Sequence, residues 1–338
     1  MAEIHPAFKI NGSSCDEFLS QSFENDRLKG FQQELRNFKV SYEFRFHTSG
    51  TTGAPKEITF SIDQIVASAR ATHKTFGLFK GAVAVNALPL KYVASKMMLF
   101  RAMICGYSLY VLEPDFNEKS FKGLPVSIDF FPLVPVQLEK ILNFEKNLLP
   151  SISKVLIGGA TVSSELKERI LGLQVNTRFF ESFGSTETLT HIGIRRIGEA
   201  SFKSIFGVSF SSENSRLIIH APHILKEAII TNDLVELTSS ESFKWLGRAD
   251  NVINSGGIKI IPEQLEIKIA AVLKSPFFIS AEPSEILGQQ IILVIESAVE
   301  FDIDWSKIEI NKYEIPKKIY FLTQLNKTES GKIIRSIA

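Results

Sequence analysis

The feature that most constrains the fold is a regular alternation of short apolar runs with longer amphipathic stretches between residues 43 and 182. Residues 154–157 have the length and composition of a buried strand, and residues 93–105 have the apolar spacing of a helix. Strands that alternate with helices of about ten residues predict a mostly parallel sheet flanked by helices. The sequence therefore predicts an α/β fold.

The remaining elements of this part follow the same order. The predicted strands are 43–46, 58–60, 82–88, 108–112, 126–131, 154–157 and 175–182. The predicted helices are 16–38, 61–79, 93–105, 135–142 and 163–171. Residues 61–64, Ser-Ile-Asp-Gln, have the composition of a capping box at the start of the second of these helices.

The pattern changes after residue 200. Closely spaced short strands are predicted at 216–220, 227–231 and 233–238, which is typical of antiparallel sheet. A hairpin (251–261), a helix from Pro262, a strand (291–295), a short helix (305–310) and a strand (318–322) follow. We therefore expect a large N-terminal domain (1–249) that includes a small strand-rich region, and a small α+β C-terminal domain (250–338).

Composition and length restrict the class of protein. A chain of 338 residues exceeds the usual size of one core, and its 27 phenylalanines predict an aromatic-rich core. A formal net charge of +1 does not favour a nucleic-acid partner. Cys15 and Cys105 lack the spacing of a metal motif, and the first ten residues lack the apolar run of a signal peptide. No run approaches the roughly 18 apolar residues of a membrane span, so we expect a cytoplasmic protein.

Residues 47–56, HTSGTTGAPK, lie between two predicted strands and combine two glycines, four hydroxyl side chains and a lysine. Glycines let backbone N–H groups approach a ligand, and hydroxyls and Lys56 add donors and positive charge, which suits a polyphosphate. The stretch lacks the order of residues of the P-loop motif. From these residues alone, a phosphate-binding loop and a polar hairpin turn both stay open.

Two further segments carry side chains that suit a nucleotide, although each also fits an ordinary turn. Glu187, in the segment 181–188, follows an apolar strand, where α/β sheets bind ligands, and a carboxylate there can hold Mg²⁺ against phosphate oxygens. Asp233 can bridge two ribose hydroxyls, and Arg248 can add a charge-assisted hydrogen bond. These residues predict a nucleotide site only if the fold brings them together.

Taken in order, five segments resemble the motifs of adenylate-forming enzymes, a superfamily of acyl-CoA ligases, peptide-synthetase adenylation domains and luciferases. The segments are the loop 47–56, Phe-Gly-Ser-Thr-Glu (183–187), Thr-Asn-Asp (231–233) with Gly-Arg-Ala-Asp (247–250), Gly-Gly (256–257) and the C-terminal run 326–335. Phe183, Asn232 and Asn326 stand where Tyr, Gly and Pro are usual. Only 46 residues precede His47, so we expect a front subdomain of larger members to be largely absent.

The resemblance implies ATP, Mg²⁺, CoA and a small-molecule acid as the bound groups. It implies that phosphates of ATP contact Thr48, Ser49, Gly50, Thr51, Thr52, Gly53 and Lys56. It implies that the rest of ATP contacts Gly158, Gly159, Phe183, Gly184, Asp233 and Arg248, with Phe183 stacked on adenine and the last two on the ribose.

The same resemblance assigns the residues of the reaction. Glu187 is the implied magnesium ligand, and Thr186 contacts the reacting groups. Lys332 bridges the substrate carboxylate and the α-phosphate during adenylation. Asp250 is the implied hinge of a mobile C-terminal domain, whose Gly256–Gly257 hairpin replaces Lys332 at the site for the thioester-forming step.

Residues 88–101 place a lone arginine, Arg101, in a helix rich in Met, Leu and Phe. Arginine is seldom buried without a partner, and a carboxylate is its natural one; Arg101 can also reach solvent or an internal Asp or Glu. The segment resembles o-succinylbenzoate–CoA ligases of menaquinone biosynthesis, whose substrate has two carboxylates. On that resemblance Arg101 binds the carboxylate that does not react, Tyr92 stands where His is usual, and Ala160 forms part of the pocket wall.

The implied function is therefore an ATP-dependent acid–CoA ligase that forms an acyl-AMP and then the CoA thioester, with o-succinylbenzoate as the acid. Two alternatives stay open: a CoA ligase for another aryl or short acyl acid, and a non-catalytic nucleotide-binding relative. The sequence assigns no oligomeric state.

Overall fold

The computed structural model describes residues 3–47, 56–144, 146–327 and 333–335. These residues form helices and four sheets of two, four, nine and five strands. The helices are α1 (Cys15–Ser20), α2 (Asp26–Val40), α3 (Ile62–Thr75), α4 (Val93–Cys105), α5 (Pro135–Phe144), α6 (Ser164–Leu171) and α7 (Pro262–Ile269).

The first ten strands run to the middle of the chain. They are β1 (Lys9–Ile10), β2 (Ser13–Ser14), β3 (Glu43–His47), β4 (Glu57–Ser61), β5 (Val83–Asn86), β6 (Ser108–Val111), β7 (Phe131–Leu133), β8 (Lys154–Ile157), β9 (Arg178–Gly184) and β10 (His191–Arg196). The later strands are β11 (Ser201–Ser204), β12 (Ser209–Glu213), β13 (Arg216–His220), β14 (Ile229–Ser239), β15 (Ser242–Arg248), β16 (Ile253–Ser255), β17 (Ile258–Ile260), β18 (Phe277–Ser284), β19 (Gly288–Glu296) and β20 (Lys318–Leu322).

The nine-stranded sheet has the strand order β12-β13-β14-β15-β11-β10-β9-β8-β7. Strands β7, β8 and β9 pair in parallel and are connected by α5 and α6. All other neighbouring strands of this sheet, from β9 across to β12 at its far edge, pair antiparallel. A smaller sheet, ordered β2-β1-β6-β5, adds two parallel ladders, β1 with β6 and β5 with β6. The predicted α/β class is confirmed, with the parallel pairing concentrated in these two regions.

Local signals place several elements as the sequence predicts. Helix α4 has the predicted bounds, and α3 starts with the predicted capping box, in which Ser61 accepts from Gln64 N at 3.3 Å and Gln64 Oε1 accepts from Ser61 N at 2.8 Å. The helix α7 begins at Pro262, which fits the first turn because its missing N–H would have no partner there.

Several predicted elements were wrong in their extent, among them the strand predicted at 126–131, which is β7 at Phe131–Leu133. The single helix predicted at 16–38 is two helices, because Asn25 caps a new start by accepting from Leu28 N at 3.0 Å. The separate strands predicted at 227–231 and 233–238 are one strand, β14, which pairs with β13 on both sides of Asn232, across a shift in register, and with β15 from Asp233 onward. The helix predicted at 305–310 is a short 3₁₀ turn, Trp305–Lys307.

An aromatic-rich core lies between α2, α4 and the β3–β4 hairpin. The rings of Phe38, Phe44 and Phe100 are buried, with centroids 5.1 to 5.7 Å apart. Such tilted pairs add to the free energy of burial, and replacing one of these rings by Ala typically costs about 3–5 kcal/mol. The predicted aromatic core is confirmed.

The C-terminal sheet has the order β17-β16-β19-β18, and β20 pairs with β19 in parallel. Strand β15 of the large sheet ends at Arg248 and β16 begins at Ile253, so the chain changes sheets at residues 249–252. The boundary predicted at Asp250 lies in this connection, and movement of 250–338 about it stays a prediction. No helix in the described part of the chain is long and apolar enough to cross a membrane.

Candidate active site

Two of the predicted segments meet at one edge of the nine-stranded sheet. Strands β8 and β9 are parallel, and Ile157 at the end of β8 pairs with Glu181 of β9. Residues 158–160 and 184–187 therefore follow neighbouring strands at the same edge. This is the edge at which sheets with parallel strands bind ligands.

The Gly158-Gly159-Ala160 turn is shaped by close backbone approach. A Cβ atom on Gly158 would lie 2.5 Å from Ser182 Oγ, which donates a hydrogen bond to the carbonyl of Ile157 at 3.1 Å. Gly159 has φ +83°, which favours glycine, and it is exposed. A larger residue at position 158 would therefore disrupt the contact between β8 and β9, and the glycines leave backbone atoms of the turn uncovered.

The Phe-Gly-Ser-Thr-Glu segment continues from the end of β9. Phe183 is half-buried, with its ring centroid 5.4 Å from Phe202 and 5.1 Å from Phe243. Thr186 is half-buried and Glu187 is exposed. Within the described residues Glu187 has no ion pair, so its carboxylate is accessible to a cation.

The loop after β9 folds tightly back into β10. Thr188 Oγ1 accepts from Ser185 N at 3.0 Å and donates to the carbonyl of Thr190 at 2.8 Å. Gly184 pairs with His191, and a Cβ on Gly184 would lie 2.5 Å from His191 Cα. These contacts fix the distance between the residues that precede Thr186 and those that follow Glu187.

Arg101 reaches this loop from α4. Its side chain is 3% exposed, and Nη2 donates a hydrogen bond to Thr190 Oγ1, while Nη1 lies 3.7 Å from Met98 Sδ. Its Nε has no hydrogen-bond partner, and no Asp or Glu of the described chain pairs with the guanidinium. Burial lowers the pKa of Arg101 to about 10, so it stays charged at neutral pH.

These observations exclude the two alternative environments of Arg101 within the described residues, since it contacts neither solvent nor an internal carboxylate. Sequence reasoning missed the hydrogen-bond partners around it. His191 Nδ1 lies 3.1 Å from Thr190 Oγ1, and His191 Nε2 lies 3.3 Å from Thr72 Oγ1 of α3. Burial and the charge of Arg101 hold the pKa of His191 well below its usual range, so the ring is neutral.

Asp233 and Arg248 face each other on the paired strands β14 and β15. Trp245 Nε1 donates to Asp233 Oδ1 at 2.9 Å, and Arg248 Nη1 lies 3.7 Å from Asp233 Oδ2. Burial raises the pKa of Asp233, and the hydrogen bond with Asp250 raises the pKa of Arg248. Arg248 binds Asp250 with two contacts of 2.9 and 3.1 Å, so it links the predicted ribose carboxylate to the predicted hinge.

The other predicted site residues have separate positions. Lys56 is exposed just before β4, which pairs with β3 as an antiparallel strand. Tyr92 is half-buried at the N-cap of α4. Gly256 and Gly257 form the turn between β16 and β17, with φ +58° and +81°. Thr48, Ser49, Gly50, Thr51, Thr52, Gly53 and Lys332 lie outside the described residues.

A model of the family described as AMP-binding enzyme matches residues 44–217, which is more than half of the chain. The chain belongs to the AMP-binding enzyme family. The predicted resemblance to adenylate-forming enzymes is thereby confirmed, and the match includes both Arg101 and the loop after β9.

Individual members of the AMP-binding family support this assignment. An acyl-CoA synthetase (AMP-forming)/AMP-acid ligase II-like protein from Dyadobacter fermentans is 33% identical, with a TM-score of 0.65 and coverage of 95% of both chains. The 2-succinylbenzoate–CoA ligase of Listeria monocytogenes is 26% identical over 356 residues, which cover 96% of this chain and 74% of the relative. The predicted similarity to o-succinylbenzoate–CoA ligases is confirmed.

A third member, the o-succinylbenzoate coenzyme A synthetase of Bacillus subtilis in complex with ATP and magnesium ion, has the same fold. Its TM-score is 0.72 at 21% identity, over 86% of this chain and 68% of that chain. In the described part of the present chain, no group of three or more His, Cys, Asp or Glu side chains can hold a metal. A lone exposed carboxylate such as that of Glu187 suits Mg²⁺ binding, because Mg²⁺ is commonly bound by one or two carboxylates plus substrate phosphates.

Proposed function

We propose that this AMP-binding family member is an AMP-forming acid–CoA ligase and that its acid is o-succinylbenzoate. The observation that carries the choice of acid is Arg101, a buried guanidinium beside the loop that contains Thr186 and Glu187. A buried cation without a counter-charge is costly, and a bidentate carboxylate is the partner that matches its planar donors. A substrate with a second carboxylate supplies that partner.

The proposed reaction has two steps. The reacting carboxylate of the acid attacks the α-phosphorus of ATP, which forms the acyl-AMP and releases pyrophosphate; the CoA thiolate then attacks the acyl carbon and releases AMP. The chain contributes mainly positioning and positive charge, as in other phosphoryl transfers. Magnesium bound to Glu187 would neutralise phosphate charge.

Each remaining residue has one proposed task. Lys56 and residues 48–53 hold the phosphates that leave as pyrophosphate, and Lys332 attends the reacting carboxylate and the α-phosphate. Phe183 packs on adenine beside Gly158, Gly159 and Gly184, while Asp233 and Arg248 hold the ribose. Ala160 and Tyr92 contribute to the wall of the acid pocket. Loss of one such preorganised contact typically reduces the rate on the order of 10²–10³.

Arg101 and the reacting centre are connected through a short stretch of chain. Arg101 donates to Thr190, which follows Thr186 by four residues in a loop held by the hydrogen bonds of Thr188. An acid held by Arg101 at one carboxylate would therefore be oriented by the same loop that carries the groups for its other carboxylate. The separation of the two carboxylates of the substrate would then select the acid.

The test is ATP–pyrophosphate exchange with a panel of acids, followed by thioester formation with CoA. The panel contains o-succinylbenzoate, the analogue without the carboxylate that does not react, and several aryl and short acyl monocarboxylates. We expect exchange and thioester formation with o-succinylbenzoate, and much weaker activity with its monocarboxylate analogue. Exchange with monocarboxylates alone would show that the substrate is another acid. Absence of exchange with every acid would indicate that the protein is a non-catalytic nucleotide-binding relative. The hinge at Asp250, the Gly256–Gly257 hairpin in the second step and the cytoplasmic location stay predictions.

A further inference from the structure

A buried network of three polar side chains supports the guanidinium of Arg101, whose Nε has no hydrogen-bond partner within the described residues. The network consists of Thr190, His191 and Thr72, which are 8%, 8% and 0% exposed. Arg101 Nη2 donates to Thr190 Oγ1, Thr190 Oγ1 lies 3.1 Å from His191 Nδ1, and His191 Nε2 lies 3.3 Å from Thr72 Oγ1. The network thus connects α4, the loop after β9, the start of β10 and α3.

The network has a consistent direction of donors. Since His191 is neutral, one of its ring nitrogens donates and the other accepts. A threonine hydroxyl that accepts from a guanidinium becomes a better donor. We therefore infer that the hydroxyl of Thr190 donates a hydrogen bond to Nδ1 of His191, which carries no proton. The Nε2–H of His191 then donates to Thr72. All donors point away from Arg101, and each member satisfies its neighbour.

Packing fixes the ring of His191 in this network. Phe76, which directly follows α3, meets the ring edge to face at a centroid distance of 6.0 Å, and the backbone of His191 pairs with Gly184. An imidazole held on two sides cannot turn without breaking the link to Thr190. The orientation of Arg101 is therefore set by a rigid support rather than by a flexible surface group.

We propose that Thr72, His191 and Thr190 are positioning residues, which orient Arg101 so that its free donors face the second carboxylate of the acid. This inference rests on the proposed function and extends it: these residues determine the preference for a diacid over a monoacid. Buried polar groups that merely satisfy one another would instead stabilise the fold without affecting which acid is used.

The test compares variants at both ends of the network. Thr72→Val removes a hydrogen bond at nearly constant volume, and His191→Phe removes hydrogen bonds while it keeps a planar ring. Thr72→Ser keeps the hydroxyl, and His191→Asn keeps a polar group near Nδ1. Ser68→Ala is the matched control, because Ser68 lies one turn earlier on α3, is fully buried, and its Oγ has no hydrogen-bond partner in the described part of the chain. Each protein is assayed by pyrophosphate exchange with o-succinylbenzoate and with the analogue that lacks the non-reacting carboxylate.

For Thr72→Val and His191→Phe we expect a rise of about tenfold in KM for the diacid, with KM for ATP and for the monoacid unchanged. Thr72→Ser and His191→Asn should stay within about threefold of the parent, and Ser68→Ala should match it. A double variant gives a second, independent measurement: once Arg101→Met is present, adding Thr72→Val should change the diacid KM no further. Thermal unfolding of each variant separates loss of fold from loss of selectivity.

The outcomes distinguish this inference from the function on which it rests. Exchange by the parent protein with the diacid supports the proposed function, whatever the variants do. Equal changes for both acids, no change for either, or a full effect of Thr72→Val in the Arg101→Met background would overturn the positioning role. Exchange by the parent protein with monoacids alone would overturn both.

Discussion

At the scale of single residues, Arg101 is a cation that burial disfavours and the fold nevertheless retains. Its pKa of about 10 keeps it charged at neutral pH, and no carboxylate of the described residues compensates that charge. A buried charge of this kind lowers the stability of the folded state, because water solvates it better. Such a group is expected where binding rather than stability determines the residue.

Replacing Arg101 by Met should therefore separate binding from stability. We expect kcat/KM for o-succinylbenzoate to fall at least about 30-fold, since loss of one partner of a buried charge pair typically costs 2 kcal/mol or more. We also expect an unchanged or higher melting temperature, because an unpaired charge is removed. Pyrophosphate exchange and thermal unfolding measure the two effects.

Lys96→Met on the same helix is the control for Arg101→Met. Lys96 is partly buried and forms an ion pair with Glu34 at 2.7 Å, so its removal leaves a carboxylate without its partner. We expect this variant to lose stability and to keep its preference among acids. A lower melting temperature for Arg101→Met together with unchanged acid preference would contradict the proposed role of Arg101.

His191 gives the protein a pH dependence of known sign. Its pKa in the folded state is well below the value of 6.5 expected in the unfolded chain. Below about pH 6.5 the unfolded state binds more protons, so the free energy of unfolding falls as the pH drops, by at most about 1.4 kcal/mol per pH unit for one group. His73 and His223, whose pKa values burial also lowers, act in the same direction.

Urea unfolding at pH 7.5 and 5.5 tests this dependence. The parent protein should lose stability at the lower pH, and His191→Phe should lose less, by up to about 1.4 kcal/mol, because its unfolded state no longer gains that proton. The difference between the two proteins isolates His191 from the other histidines. An identical loss in both proteins would show that His191 does not titrate differently on folding.

At the scale of elements, the close approach of β9 and β10 at the ends of their loop requires a glycine at position 184. A Cβ on Gly184 would lie 2.5 Å from His191 Cα, a backbone atom of the neighbouring strand that cannot move by itself. Gly193, on β10 of the same hairpin, differs because the nearest atom to its Cβ is 3.5 Å away. The two glycines thus form a matched pair for substitution.

We expect Gly184→Ala to destabilise the protein by about 1–3 kcal/mol and to reduce pyrophosphate exchange sharply, because the strands must separate and displace Thr190. Gly193→Ala should change the free energy of unfolding by less than about 0.5 kcal/mol and keep activity. Chemical denaturation and exchange assays measure both. Equal effects of the two substitutions would show that close approach at Gly184 does not determine the loop.

The elements also show what sequence reasoning could and could not find. Capping at Ser61 and the start of α7 at Pro262 are encoded within a few residues, so local patterns predict them. The contact between Arg101 and Thr190 joins residues 89 positions apart, and it depends on how β9, β10 and α4 pack. The arginine was therefore predictable as a candidate from its apolar surroundings, whereas its support by Thr190 and His191 was not.

At the scale of the whole molecule, the predicted site draws on segments from both halves of the chain. Near the C-terminus, Arg335 binds Glu266 of α7 through two contacts of 2.6 and 2.8 Å and donates to the carbonyl of Ile279 at 2.8 Å. Lys327 and Ile333 form an antiparallel bridge. Arg335, three residues after Lys332 in the sequence, is thus attached to α7 and to the C-terminal sheet.

Lys332→Ala tests whether the two half-reactions use different parts of the C-terminal unit. We expect adenylation, measured by pyrophosphate exchange, to fall by on the order of 10²–10³, since the variant lacks the positive charge that we propose for the reacting groups. Thioester formation from supplied acyl-AMP and CoA should be largely retained, because that step is proposed to use the Gly256–Gly257 hairpin instead. Both rates are measured on the same preparation.

Lys327→Ala is the appropriate control because it removes a lysine from the same C-terminal run without touching the proposed reaction. Lys327 forms a partly exposed ion pair with Glu296 at 3.4 Å, and ion pairs near the surface contribute about 1 kcal/mol or less. The Lys327→Ala variant should retain both adenylation and thioester formation, which would exclude a general effect of losing positive charge in this run. If Lys332→Ala reduced the two half-reactions equally, a single arrangement would serve both steps, and rotation of 250–338 about Asp250 would lose its support.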